Sequence, residues 1–347
     1  MNAFDLSGYR FPAEWEKHEA TWLSWPHKED SWPGLIQQIY PAYAQFVAEL
    51  SLGEKVRINV KDEHMKAFAL EHLSKTNARL GQVEFYFHPT NDAWCRDHGP
   101  AFLVNKDAAI DKKVVLDWGF NAWGGKYPPY DLDDVIPTLV GKALDLKVMY
   151  PGIIMEGGSV EFNGNGALLT SRSCLLNKNR NPHLTQSEIE SYLKNFYRVS
   201  QILWVDDGIV GDDTDGHVDD TVRFVNEHTV LTVVEDNKSD SNYEILQNNL
   251  AQLQEMKLEN GSLLDIIELP MPEPIYIEGQ RLPASYANFY IANQSVIVPT
   301  YRCAKDDKAL NIIQTCFPDR KVVGIDSAVI IWGLGSFHCL SQQEPAV

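Results

Sequence analysis

Short runs rich in Val, Ile, Phe and Tyr recur along the whole chain, and between them lie single stretches with helical spacing. No other property of the sequence narrows the fold as much. The runs are KVRINV (55–60), VEFYFH (83–88), KVVLDW (113–118), SVEFNGNGALLTS (159–171), QILWV (201–205), HVDDTVRFV (217–225), TVLTVV (229–234), NFYIANQSVIVP (288–299) and KVVGIDSAVIIWG (321–333). Several alternate apolar with polar residues, the pattern of a strand with one buried face. Asn163-Gly164-Asn165-Gly166 sits between two such runs and predicts a hairpin. Helical spacing marks GLIQQIYPAYAQFVAEL (34–50), where Pro41 predicts a break or kink, and SDSNYEILQNNLAQLQEM (239–256). Thr185 and Glu188 in TQSEIESYLKNF form a capping-box pattern ahead of a third helix. The alternation predicts an α/β protein. No Pro- or Ser-rich linker interrupts it, so one domain is expected over residues 1–347.

Composition excludes several partners. The net charge is −18, and no block of Lys and Arg stands out. Nucleic acid and anionic membrane both need clustered cations, so neither is expected as a partner. The start, MNAFDLSGYRFPAEWEKHEATW, lacks a basic stretch followed by an apolar one, and no apolar run approaches the length of a membrane span. The five cysteines (Cys95, Cys174, Cys303, Cys316, Cys339) are scattered and odd in number. They read as reduced thiols in a cytoplasmic protein, and with no CxxC pair a structural zinc site is not expected.

Four stretches could carry chemistry. In NDAWCRDHGP (91–100), Asp92, Arg96 and Asp97 crowd a segment after a strand. It is either a polar loop with an Asp capping backbone amides, or a site where Asp97 faces a cavity walled by Trp94. A carboxylate beside an aromatic wall suits a flat cation. GDDTDGHVDDTVRFV (211–225) invites a calcium-loop reading that fails. With Asp213, Asp215 and Gly216 in register, Gly211 and Val222 stand where acidic ligands are required. As a strand, residues 217–224 would put His217, Asp219, Thr221 and Arg223 on one face. MEGGSVEF (155–162) places Glu156 before two glycines and a strand, either at a strand mouth or at an exposed turn. AVIIWGLGSFHCLSQQ reads as a buried strand, then a bend at Gly333 and Gly335, then His338-Cys339. A free cysteine is most often a small core residue, but polar neighbours and close backbone leave a nucleophile open. The aromatic stretch DWGFNAWGGKYPPYDLDD (117–134) could line a pocket, though core packing explains most of its rings.

Taken together, FPAEWEKHEATWLSWPH, WCRDHGP, DWGFNAWGGKY, EGGSVEFNGNGALLT, CLLNKNRNPHL, DDTDGHVDD and HCLSQQEP resemble the agmatine deiminase branch of the guanidine-modifying (pentein) superfamily. The resemblance implies five ββαβ-like modules in a pseudo-fivefold α/β propeller around a central funnel. By matching position it implies Cys339 as nucleophile, His217 as general acid/base, Asp97 and Asp219 as guanidinium-binding carboxylates, and Glu156 completing the acidic ring. The activity implied is hydrolysis of agmatine to N-carbamoylputrescine and ammonia through an S-alkylthiouronium on Cys339, with no cofactor and no metal. One departure is visible. The family usually shows Gly-Gly-Gly-Asn-Ile before His-Cys, whereas this chain has Gly333-Leu334-Gly335-Ser336-Phe337.

For the far end of agmatine, a lone ammonium, the candidates are Asp213 and Asp215, with Trp94 or Trp123 as the apolar wall. For Asp215, shaping the turn at Gly216 is the stronger reading. Arg172, Arg180, Arg223 and Arg281 are available as carboxylate partners, so a deiminase of free or peptidyl arginine stays open. So do an amidinotransferase, a non-catalytic binding pentein and a homo-oligomeric assembly. Gln342 and Gln343 are the expected anchors of the cysteine-bearing tail.

Overall fold

The computed structural model describes residues 5–347. Its strands are β1 His18–Ser24, β2 Lys55–Asn59, β3 Val83–Tyr86, β4 Ala101–Val104, β5 Lys113–Leu116, β6 Lys147–Met149, β7 Val160–Phe162, β8 Ala167–Ser171 and β9 Gln201–Val205. They continue as β10 Val222–Phe224, β11 Thr229–Val234, β12 Asp265–Pro270, β13 Tyr276–Ile277, β14 Gln280–Arg281, β15 Tyr290–Ile291, β16 Ser295–Thr300, β17 Lys321–Asp326 and β18 Ser341–Pro345. The fold is mixed α/β.

Four sheets share one construction. In β4-β5-β6, β7-β8-β9, β10-β11-β12 and β15-β16-β17, the first two strands pair antiparallel and the third joins parallel. A parallel neighbour needs a crossover, and in each case a helix supplies it. These are Ile136–Ala143, Gln186–Tyr197, Tyr243–Glu255 and Asp306–Cys316. Helix Gln186–Tyr197 shows why: Ile189, Leu193 and Tyr197 bury one face, and the Thr185–Glu188 capping box forms as its sequence predicts. The Asn163–Gly166 segment turns the chain between β7 and β8, which pair as expected.

A fifth sheet, in the order β18-β1-β2-β3, has the same antiparallel-then-parallel start but takes its first strand from the far end of the chain. Thr21 pairs with Gln343 and Trp22 with Gln342. Trp22 Nε1 donates to Glu344 (2.9 Å), and Lys113 reaches the same carboxylate (2.7 Å). The segment after Cys339 is thereby stitched into the core.

Three local expectations need correction. Residues 217–221 are not strand. Val218–Asp220 form a 3-10 turn, and only Val222–Phe224 are extended. The Asp212 carboxylate accepts from the amides of Gly216 (3.0 Å) and His217 (2.9 Å), and Thr221 N–H closes onto Val218 O (2.9 Å), so side-chain capping overrides the alternating pattern. The run 321–333 is strand only to Asp326. Ile330–Gly333 coil into a 3-10 turn pinned by Trp32 Nε1 on Ile330 O (2.8 Å). Helix Ile36–Leu50 continues through Pro41, held by a buried face that includes Ile39, Tyr43, Phe46 and Val47. Phe46 in turn packs on Phe337, ring centroids 4.9 Å apart, beneath the Cys339 loop.

Candidate active site

Each of these five sheets sends one polar side chain to a common place from the turn just ahead of its first strand, while the small β13-β14 hairpin sends none of the five. Asp97 lies in the short helix Cys95–His98 before β4, Glu156 precedes the 3-10 turn leading into β7, and Asp219 precedes β10. Asn288 precedes β15, and Cys339 precedes β18. All five residues are buried.

Glycine makes the convergence possible. A Cβ on Gly158 would stand 2.5 Å from His217 Nδ1, 2.9 Å from Asp97 Oδ1 and 3.1 Å from Asp219 Oδ2, so only a bare backbone fits among these groups. Its amide uses the proximity, donating to Asp97 Oδ1 (2.9 Å). Gly335 does the same for the thiol: an added Cβ would lie 3.2 Å from Cys339 Sγ and 2.6 Å from the Trp94 ring. The departures at Leu334, Ser336 and Phe337 are absorbed locally. Phe337 is buried against Phe46, Ser336 bonds Ser327 (2.6 Å), and Leu334 takes a left-handed φ of 69°.

Cys339 Sγ receives a hydrogen bond from Asn288 Nδ2 (3.0 Å) and lies 3.8 Å from Asp219 Oδ2. Asp219 Oδ2 accepts from His338 Nδ1 (2.6 Å), while its Oδ1 is buried with no partner among the described residues. Asp97 Oδ2 accepts from Trp123 Nε1 (2.9 Å), and Oδ1 lies 3.7 Å from His217 Nδ1. The other face of His217 meets Glu156 Oε2 (3.5 Å). Glu156 is fully occupied, with Arg180 Nε on its other oxygen (2.7 Å). It backs the imidazole and does not offer a free edge to a ring of acids.

The electrostatics follow from burial and these pairs. Burial pushes the Cys339 thiol up, and Asp219, Asp220 and Asp97 push it further, well above an ordinary cysteine. Burial pulls His217 down, but Asp97, Cys174 and Glu156 outweigh it and hold the ring protonated well above the usual histidine range. Asp97 is raised by burial and by Asp219 and Glu156, against the pull of His217. Burial also pushes Asp219 up, but the hydrogen bond and charge of His338 win and leave it lowered.

A cavity of about 320 Å³ opens beside this cluster. Asp97 and Cys339 face it, with Trp94, Trp123, Tyr127 and Asp213 among its walls, whereas His217 and Asp219 contact those two groups from behind without lining it, and Glu156 stands further back behind His217. Trp94 packs against Trp32 with the rings tilted by 34° and their centroids 5.3 Å apart. Asp213 is at the rim, 42% exposed, accepting from Tyr127 Oη with Lys126 Nζ 3.8 Å away. Asp215 is turned aside and committed to Arg180, Asn179 (2.9 Å) and Lys126 (2.8 Å), so it shapes the loop.

The arginines held open for a substrate carboxylate are already paired. Arg180 takes Glu156 and Asp215, Arg223 takes Glu14 and Glu161, Arg281 takes Asp240, and Arg172 meets Asp206 at the surface. The sequence reading missed Asn288, Asp220 and Glu14, and it held Arg180 only as a partner for a substrate carboxylate, not as the partner of Glu156. Glu14, in FPAEWEKHE, is buried and binds Arg96 (3.2 Å), Arg223 (2.9 Å) and His338 (2.8 Å). Gln343 does anchor the tail, accepting from Arg96 (2.7 Å). Glu156, Cys174 and His217 hold one donor atom each within 4.8 Å of one another. With the Arg180 guanidinium already on Glu156, that trio suits a hydrogen-bonded cluster better than a cation.

Over residues 10–345 the chain matches the family model described as Porphyromonas-type peptidyl-arginine deiminase. Agmatine deiminase of Pseudomonas aeruginosa (strain LESB58) is 35% identical over 365 residues, covering 98% of this chain and 96% of that protein. Among solved structures, agmatine deiminase of Enterococcus faecalis superposes with a TM-score of 0.89 at 31% identity, covering 97% of this chain and 96% of that one. A Cys-to-Ser agmatine deiminase from C. jejuni with substrate bound gives 0.87 at 33% identity, with 99% and 98% covered. No helix of the described residues is long and apolar enough to cross a membrane.

Proposed function

The chain belongs to the agmatine deiminase family of guanidine-modifying (pentein) enzymes, and from that premise we propose that it hydrolyses agmatine to N-carbamoylputrescine and ammonia through a covalent intermediate on Cys339. We further propose one catalytic domain over residues 1–347, with five of its six sheets acting as pseudo-fivefold modules around the site. Their shared strand connectivity and the shared position of Asp97, Glu156, Asp219, Asn288 and Cys339 support this.

The observation that carries the reading is the meeting of the Cys339 thiol and the Asp97 carboxylate, which face the cavity, with a protonated imidazole and the buried Asp219 carboxylate directly behind them. A guanidinium is planar, always charged and poorly electrophilic. Asp97 and the unpartnered Oδ1 of Asp219 bind its N–H edges and turn its carbon toward Sγ. The incoming cation offsets the carboxylates that suppress thiol ionisation, so bound substrate favours the thiolate, whose proton passes to solvent. Attack of the sulfur on carbon gives a tetrahedral adduct. Protonated His217 gives its proton to one amino nitrogen, the C–N bond breaks, and ammonia leaves an S-alkylthiouronium. The imidazole, now neutral, takes a proton from water as that water adds to the same carbon. Collapse breaks the C–S bond and frees the ureido product and Cys339.

Agmatine is favoured over arginine by the cavity walls. The cations that line it, Lys28 and Lys126, are both ion-paired, to Asp92 (3.5 Å) and to Asp215 (2.8 Å). An α-carboxylate brought in beside Asp213 would meet an acid and no free partner. The test is to incubate the purified protein separately with agmatine, arginine and a blocked arginine peptide, measuring ammonia and ureido product. Turnover confined to agmatine is expected. Faster turnover of either arginine compound would overturn the substrate assignment, and no ammonia from any of them would overturn the enzyme reading.

A further inference from the structure

We propose that Asn288 is a catalytic residue whose amide N–H holds the developing charge on the Cys339 sulfur. This deepens the deiminase reading and rests on it for its catalytic sense.

Four of the five sheets contribute to the site a residue with assigned chemistry. The fifth contributes Asn288, and its side chain touches the reacting atom, with Nδ2 3.0 Å from Sγ. The amide orientation is fixed by its own contacts. The Cys339 backbone N–H donates to Oδ1 (3.3 Å), so that oxygen faces the chain and the nitrogen faces the sulfur. The same nitrogen donates to Asp220 Oδ1 (2.9 Å) and lies 3.4 Å from Asp219 Oδ2. Its backbone is clamped as well. Arg223 Nη1 bonds the carbonyls of Ala287 (3.0 Å) and Phe289 (2.5 Å) on either side, and the Asn288 carbonyl accepts from His338 N–H (3.3 Å).

The groups facing the sulfur make a neutral donor necessary. Asp97 comes from the helix before β4, Asp219 and Asp220 from the turn before β10, and the Tyr301 phenol from the segment after β16, with the Ser336 backbone amide in the sulfur's own loop. The three acids oppose a thiolate. Among the described side chains, Asn288 is the one that donates a hydrogen bond to Sγ. A fixed amide dipole aimed at the sulfur stabilises the thiolate before attack and again when the C–S bond breaks in the second half-reaction. A cation there would do so more strongly but would repel the guanidinium.

The experiment follows alkylation of Cys339 by iodoacetamide against pH, without substrate, by mass spectrometry of the peptide containing residue 339. Wild type is compared with Asn288→Ala and with Asn288→Leu, which keeps the side-chain volume. Loss of one hydrogen bond to a charged atom should move the sulfur's titration midpoint up by about one to two pH units. Alkylation below the midpoint should then be about tenfold to a hundredfold slower, with the high-pH plateau within about threefold of wild type. An unmoved midpoint, or a rate lowered equally at every pH, would overturn the proposal, the latter showing a structural role. If the alanine variant does not fold, the leucine variant is judged by the same criterion. If neither folds, Asn288 belongs to the fold and the proposal fails. Ammonia release from agmatine by wild type reports separately on the deiminase reading, because alkylation needs no substrate.

Discussion

His338 Nδ1 donates to Asp219 Oδ2 at 2.6 Å, on the side of the carboxylate away from its unpartnered Oδ1. The other ring nitrogen of His338 donates to Glu14 Oε2 at 2.8 Å, and Glu14 is itself gripped by Arg96 and Arg223. The imidazole is therefore a strut between a rigid ion network and the acid proposed to bind the guanidinium. Removing it with His338→Leu should cost about 1.5–3 kcal/mol of transition-state stabilisation, read as kcat/KM for agmatine. His338→Asn places an amide N–H on the Nδ1 side and should recover more of that loss than His338→Gln, whose amide reaches toward Glu14. Equal damage from Asn and Gln would assign His338 to packing alone.

Asp97 and Asp219 share the guanidinium in the proposed mechanism, so Asp97→Asn and Asp219→Asn should each lower kcat/KM by at least about tenfold. Cys339→Ser should keep the fold and abolish turnover, since a hydroxyl is far less ionisable than a thiol. In quenched wild-type reactions a substrate adduct is expected on the peptide carrying Cys339. Unchanged rate and affinity in both Asn variants would remove these carboxylates from the site.

Strands β2, β3, β5, β9, β11 and β16, the capping box and the β7–β8 hairpin were legible because each rests on local chemistry (alternation, a Thr cap, an Asn-Gly turn), whereas β1, β4, β6 and β12 were not read as strands. The grouping of Cys339, His217, Asp97, Asp219 and Glu156 was legible only through the family resemblance, as no spacing brings residues 97 and 339 together. What stayed hidden depends on pairing between distant segments. Nothing in FPAEWEKHE marks Glu14 as buried, because its partners Arg96, Arg223 and His338 come from three other places in the chain. Asn288 in YANFY carries no signal until β15 is seen to occupy the same place in its sheet as β4, β7, β10 and β18. The strand assigned to 217–221 failed for a related reason: the alternation was real, but the Asp212 carboxylate capped the backbone first.

Treatment with a chelator should leave agmatine turnover unchanged. Glu156, the acid nearest Cys174 and His217, already binds the Arg180 guanidinium at 2.7 Å. Loss of activity restored by one divalent ion would require that pair to open.

Burial, with Asp92 nearby, pushes Asp133 up to about 7 from 3.8, against the amides of Asn91 (2.7 Å) and Asp92 (3.3 Å) that bond its Oδ1. The unfolded chain releases this proton near 3.8 and the folded chain holds it to about 7. Its contribution to stability is thus complete below the lower value and is lost as pH rises through the upper one. Asp133→Asn keeps an oxygen for both amides and cannot ionise. Its stability relative to wild type should therefore grow by about 2–4 kcal/mol between roughly pH 4 and 8, measured by urea unfolding at several pH values. A constant difference across that range would contradict the buried-acid account.

Substrate choice turns on the rim. Asp213 accepts from Tyr127 and lies 3.8 Å from Lys126 Nζ, so a cation already stands where the distal ammonium of agmatine is proposed to dock. The ammonium displaces or joins Lys126 at the carboxylate, whereas arginine adds an anion beside Asp213, where Lys126 is already shared with Asp215 and Lys28 is held by Asp92. Burying that anion unpaired costs several kcal/mol in order of magnitude, so kcat/KM for agmatine should exceed that for arginine by at least about a hundredfold. Asp213→Asn should raise KM for agmatine with little change in kcat, because the residue touches the end of the substrate remote from the chemistry. The same change should matter less for a simple alkylguanidine without the terminal amine. A drop in kcat of equal size for both substrates would show that Asp213 acts on the catalytic loop that carries His217, and the distal ammonium would then need another partner in the cavity.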